Sequence, residues 1–138
     1  MLTISQISVG DELPTLTKTP NRINLVQYAA GSGDFNPLHY DADFPQAKIL
    51  GDIIVHGRMK YAALGECVSN WLGHSGHIVT IGCQYRGMDM QGKTFLVKGK
   101  VSAVREVAGE HLVDLELWTE SADGKNTTPG SATVSIRS

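Results

Sequence analysis

Ile53-Ile54-Val55-His56-Gly57-Arg58-Met59-Lys60-Tyr61-Ala62-Ala63-Leu64-Gly65-Glu66-Cys67-Val68-Ser69-Asn70-Trp71-Leu72-Gly73 is the stretch that decides the architecture. It opens with an apolar run ending in glycine. The spacing then predicts a helix from about Arg58 to Leu72. Leu64, Cys67, Val68, Trp71 and Leu72 fall on one face, and Ala62, Ala63 and Gly65 widen it. Only Arg58, Lys60, Glu66, Ser69 and Asn70 are strongly polar. A helix this apolar belongs at the centre of a domain, wrapped by other elements. Gly73 closes it.

C-terminal to this helix the hydrophobic period changes to two. His77 to Tyr85, Thr94 to Val104, Leu112 to Thr119 and Thr128 to Ile136 read as strands. Val97-Lys98-Gly99-Lys100-Val101 shows the alternation of a sheet with one covered face. Gln91-Gly92, Ala108-Gly109 and Asp123-Gly124 mark the turns, so the strands read as an antiparallel meander. N-terminal to the helix, Thr15 to Thr19 reads as a short strand after Val9-Gly10-Asp11-Glu12-Leu13-Pro14. Asn21 is placed to cap a helix carrying Ile23, Val26 and Tyr28, which Gly31 and Gly33 end. Asp34 to Asp52 is irregular and reads as a long ordered loop with one short helix after Tyr40. These elements make an α+β domain, an antiparallel sheet around one long helix. The open edges of such a sheet predict pairing of two copies.

Length and composition agree. The chain has 138 residues, 41% of them hydrophobic and 19% charged, which suits one domain over residues 1–138 with its own core. A net charge of -2 argues against nucleic acid as a partner, because phosphate contacts need clustered Lys and Arg. No run is long enough for a membrane span, and no export signal is evident, so a cytoplasmic location is expected. Cys67 and Cys83 are expected to be free thiols in a reducing compartment.

The chemistry concentrates in Tyr28-Ala29-Ala30-Gly31-Ser32-Gly33-Asp34-Phe35-Asn36-Pro37-Leu38-His39. Gly33 and Asn36-Pro37 prevent a helix, and a turn there brings Asp34 and His39 to face one point. A carboxylate and an imidazole converging on one water form an acid–base pair. Alone, Asp34 would read as a turn residue and Asn36 as the usual partner of a turn proline. His56 reads more readily as a loop hydrogen-bonder than as a second base. Gly57 opens the buried helix, where unsatisfied N–H groups and the dipole favour a developing oxyanion. Its bland alternative is close packing. Asp41-Ala42-Asp43 and the pair His74 and His77 lack the further ligands of a calcium or zinc site and read as surface turns, so no metal is expected.

Gly33-Asp34-x-Asn36-Pro37-Leu38-His39 followed by Ile54-Val55-His56-Gly57 resembles the MaoC-like, (R)-specific enoyl-thioester hydratase and 3-hydroxyacyl dehydratase family. The resemblance implies a hot-dog fold and reversible hydration of a trans-2-enoyl thioester, without metal or redox cofactor. It implies Asp34 and His39 as the pair acting on water, Asn36 as their orienting residue and the Gly57 N–H as the thioester carbonyl site. Arg58, His56 and Tyr61 become candidates for substrate contact, with Tyr61 otherwise a core residue. The implied partners are acyl-CoA or acyl-carrier-protein thioesters of fatty-acid metabolism, and a homodimer, higher oligomer or heterodimer. Four places depart from the family pattern: Gly87-Met88-Asp89-Met90 lacks the proline usual in that loop, Pro45 stands where members tend to have a small residue, and two departures lie on the long helix. Arg58 stands where members carry Met or a small hydrophobic residue, and Gly65 stands where some have a serine supporting the aspartate. Two rival readings are a partner-dependent acyl-binding subunit and a hot-dog thioesterase, for which Glu66 is the only helix carboxylate.

Overall fold

A computed structural model describes residues 2–137. Five strands form one antiparallel sheet in the order β1-β3-β4-β5-β2: β1 (Leu16–Lys18), β2 (Gly76–Cys83), β3 (Phe95–Val107), β4 (Glu110–Glu120) and β5 (Gly130–Ile136). Three α-helices accompany it, α1 (Arg22–Ser32), α2 (Pro45–Leu50) and α3 (Gly57–Leu72). The sheet curls around α3. Leu64, Cys67, Val68 and Leu72 of the helix share one core with Val97, Val101, Val113, Leu115, Leu117 and Val134 of the strands. These side chains are nearly inaccessible. Each contributes on the order of 2 kcal/mol by leaving water, which makes α3 the anchor of the fold.

The expected helices form, with shifted ends. Asn21 caps α1, its side chain accepting from Asn24 N–H. Gly31 lies inside α1, and the helix stops at Gly33, whose φ of 75° is the left-handed conformation glycine adopts without strain. Two short helices occupy the irregular stretch, a 3-10 turn at Pro37–His39 and α2. The long helix starts one residue earlier than the spacing suggests, at Gly57, after His56.

The simple meander is corrected. β3, β4 and β5 follow one another, but β2 pairs with β5 and not with β3. The connection after β2 instead crosses the start of α3. Val55 N–H donates to Asp89 O at 2.8 Å, Gln91 N–H to Ile53 O at 3.0 Å and Gly92 N–H to Pro20 O at 2.7 Å, delivering the chain to the opposite edge beside β1. β3 runs on to Val107, three residues past its alternating pattern. There its side chains are exposed, and the strand is carried by pairing with β4 and by the Arg105–Asp114 ion pair. Ala108 and Gly109, with φ of 52° and 82°, turn the hairpin.

Candidate active site

The Pro37–His39 turn forms because Asn36 caps it. The Asn36 side-chain oxygen accepts from Leu38 N–H at 3.1 Å, and the Asn36 backbone N–H points to Asp34 Oδ1 at 3.4 Å. The turn swings His39 inward until it is 7% exposed. There its Nδ1 lies 2.9 Å from Ile54 O. A carbonyl can only accept, so Nδ1 carries a proton, and in the neutral ring Nε2 keeps the lone pair. Nε2 faces Asp34 Oδ2 at 3.8 Å, too far for a direct hydrogen bond, and a water placed to one side of the two atoms can reach both.

His56 is fully buried and stacks on His39, with ring centroids 3.8 Å apart and 21° between the planes. Its Nε2 donates to Asp34 O at 3.2 Å, so His56 holds the backbone of the carboxylate residue. Burial, reinforced by His39, lowers the pKa of His56 below the usual histidine value. Its Nδ1 has no partner among the described residues, and a proton there would be a buried charge. The Tyr28 ring lies 5.0 Å from that of His56. Burial raises the Tyr28 pKa, partly offset by the positive charge of Arg58, which is itself exposed.

Gly57 follows His56 directly and is the first residue of α3. No side chain caps the helix, and no acceptor reaches the Gly57 N–H among the described residues. The first amide of α3 is therefore open to an acceptor, and it follows directly on His56, whose ring stacks on His39. The Tyr85 ring covers Gly57 closely; a Cβ there would sit 3.1 Å from it.

Asp34, His39, His56 and Gly57 are thus brought together, and Asn36 supports Asp34 through its backbone. Tyr61 is turned away, its hydroxyl donating to Ile81 O of β2 at 3.2 Å. Glu66 is paired with Lys18 at 2.6 Å, two turns further along α3. Donor atoms of Asp34, His39 and His56 lie within 4.8 Å of one another. A cation would find the two rings stacked and one nitrogen of each, His39 Nδ1 and His56 Nε2, engaged with a backbone carbonyl. Asp41 and Asp43 form a solvated turn, Asp41 Oδ1 accepting from Asp43 N–H at 2.9 Å. His74 and His77 are exposed.

A cavity of about 370 Å³ lies between α1 and α3, with Tyr28, Met59, Ala63, Phe95 and the Lys18–Glu66 pair in its walls, and Tyr28 connects it to the cluster through His56. That volume is within the usual range for a small-molecule site. The sequence pattern missed Lys60 and Asp89, which are 1% and 4% exposed and joined at 3.0 Å. The signal was present: Lys60 precedes Ala63, Leu64 and Cys67 at helical spacing, on the buried stripe.

A curled antiparallel sheet wrapped around one buried helix is the hot-dog fold, and solved structures superpose on it closely. The (R)-hydratase from A. caviae involved in PHA biosynthesis superposes with a TM-score of 0.86 at 23% identity, over 95% of this chain and 98% of that one. The R-hydratase PhaJ1 from Pseudomonas aeruginosa gives 0.85 at 20%, over 96% and 84%. The ChsH1-ChsH2 complex from Mycobacterium tuberculosis gives 0.81 at 25%, over 94% and 98%. The family model of the MaoC like domain matches residues 6–121, and the chain belongs to the MaoC-like dehydratase family. No curated protein matches the sequence. No helix among the described residues is long and apolar enough to cross a membrane.

Proposed function

We propose that the protein is a hydro-lyase that reversibly hydrates a trans-2-enoyl thioester to the (R)-3-hydroxyacyl thioester. The observation that carries this reading is the orientation of His39, whose Nδ1 is turned to the Ile54 carbonyl and whose Nε2 faces the Asp34 carboxylate at 3.8 Å, so that one water beside them can reach both. In the hydration direction the thioester carbonyl lies on the Gly57 N–H, which withdraws electron density from C3. A water held between Asp34 and His39 gives one proton to Nε2 as its oxygen bonds to C3. Asp34 stabilises the imidazolium, and the enolate oxygen is held by Gly57 and the end of the α3 dipole. C2 then takes the proton back, so that one water is added in all. Dehydration runs the same steps in reverse.

The acyl chain is assigned to the cavity between α1 and α3, entered past Tyr28. Arg58, exposed at the first turn of α3, is the cation available to a phosphopantetheine or CoA phosphate. The (R) outcome follows the named activity of the two hydratases of like fold. β2 leaves one sheet edge open, and pairing of two copies there gives a dimer. Asp34→Asn and His39→Ala are each expected to lower turnover of an enoyl-CoA by about 10²–10⁴-fold while the fold persists. Near-normal rates in both would overturn the mechanism. The thioesterase alternative would rest on Glu66, which lines the same cavity but is paired with Lys18 at 2.6 Å.

A further inference from the structure

We infer that the buried pair Lys60–Asp89 is a positioning device that sets His39 and the Gly57 amide in register. The inference rests on the hydration reading for its kinetic consequence only. Lys60 Nζ donates to Asp89 Oδ2 at 3.0 Å and to Gly87 O at 2.8 Å. Asp89 Oδ2 also accepts from Thr127 Oγ1 at 2.6 Å, and Thr127 in turn lies 3.0 Å from Thr119 Oγ1 on β4. Both charged side chains are 2% exposed. Burying two charges carries a desolvation cost that apolar residues of like volume avoid, so stability alone gives little reason for the pair.

Its backbone connections give the reason. Asp89 O accepts from Val55 N–H at 2.8 Å, Gln91 N–H donates to Ile53 O at 3.0 Å, and Met90 bridges Ile54. Ile54 is the residue between those two bonds, and its own polar groups face the other way. Its N–H donates to Leu38 O at 3.3 Å, and its carbonyl is the acceptor for His39 Nδ1. Three short backbone segments, 38–39, 53–55 and 89–91, thus lie side by side with Ile54 in the middle. Lys60 is three residues past Gly57 on α3 and clamps the outermost segment to that helix. One side of the clamp sets the Ile54 carbonyl, which fixes the His39 tautomer. The other side is the helix whose first amide is the proposed carbonyl site. The pair sets the spacing between the two halves of the apparatus without touching substrate.

Three double or single variants test this: Lys60→Met, Lys60→Met with Asp89→Leu, and Lys60→Gln with Asp89→Asn. The readouts are melting, kcat and KM on crotonyl-CoA across pH, and the ¹⁵N shifts of His39. Lys60→Met alone should melt well below the parent, because it leaves a buried carboxylate. The apolar pair should recover that stability. Its kcat should nonetheless stay at least about tenfold down with KM little altered, and His39 should show a mixture of tautomers. The amide pair keeps hydrogen bonds without charge and should return most of the turnover and the Nδ1–H tautomer. A folded apolar pair with parental kcat, pH profile and His39 shifts would overturn the inference. The His39 shifts are read without turnover, so a parent protein that hydrates nothing would refute the hydration reading and leave this test intact.

Discussion

Replacing Gly57 by alanine separates the two roles open to that glycine. Its backbone is helical, so alanine is allowed, and the loss of unfolded-state freedom stabilises by roughly 0.4–1 kcal/mol. The new Cβ stands 3.1 Å from Tyr85 Cδ1 and 3.2 Å from Cε1 and Cγ, so the ring must give by a few tenths of an ångström. Tyr85 is 54% exposed and has room to move outward. The two effects are small and opposed, and the melting temperature should stay within about 4 °C of the parent. Activity behaves differently. A helical Cα–Cβ bond tilts toward the helix N-terminus, which puts the methyl beside the Gly57 N–H where the thioester oxygen must sit. The N–H remains, but keeping the oxygen off one such donor costs about 3 kcal/mol, or 10²–10³ in kcat. The assay is loss of the enoyl-thioester absorbance of crotonyl-CoA, run beside thermal melting. A folded variant within threefold of parental activity would make Gly57 a packing residue only. A collapse of stability would show that the Tyr85 contact is rigid and that the reasoning about it is wrong.

Three other perturbations bear on the same site. Ala63→Leu fills the cavity wall and should lower the ratio of octenoyl-CoA to crotonyl-CoA turnover by about tenfold or more; an unchanged ratio would move the acyl chain elsewhere. His56 has a depressed pKa in the folded state, so below the ordinary histidine value near 6.5 the unfolded chain takes up a proton that the folded one refuses. Its contribution to stability is therefore complete above about pH 6.5 and declines as the pH falls through the lower folded value. Denaturant titrations should show that decline, and His56→Gln should reduce it; equal slopes would contradict the buried neutral ring. Leu64→Ala, at the fully buried centre of α3, should cost about 2–5 kcal/mol in the same titration, and a cost below 1 kcal/mol would deny α3 its central place.

Much of the fold was legible because it is written in period. The α3 stripe and the alternation in β3 and β4 follow from one covered face, and Asn21 and Gly73 mark helix ends by their own conformational preferences. What was not legible is long-range. Nothing in Gln84 to Thr94 announces that it crosses α3 and pairs with Ile53–Val55, because its bonds are backbone bonds that any residues could make. Lys60 was misjudged because a charged residue is read as solvated unless its partner is known, and Asp89 lies 29 residues away. In the site, Asp34 and His39 could be picked out by spacing, and Asn36 only through the family resemblance. The stacking of His56 on His39 and the Ile54 carbonyl that sets the tautomer could not, since both depend on that same crossing.

The most direct test of the account is to incubate the purified protein with trans-2-enoyl-CoA substrates, crotonyl-CoA and octenoyl-CoA, and to identify the product by chiral chromatography. A hydratase removes the conjugated thioester and yields the (R)-3-hydroxyacyl-CoA with no free thiol, and Asp34→Asn is inert beside it. Both substrates left intact by a folded protein, or free CoA released in place of the hydroxy thioester, would contradict the hydratase reading.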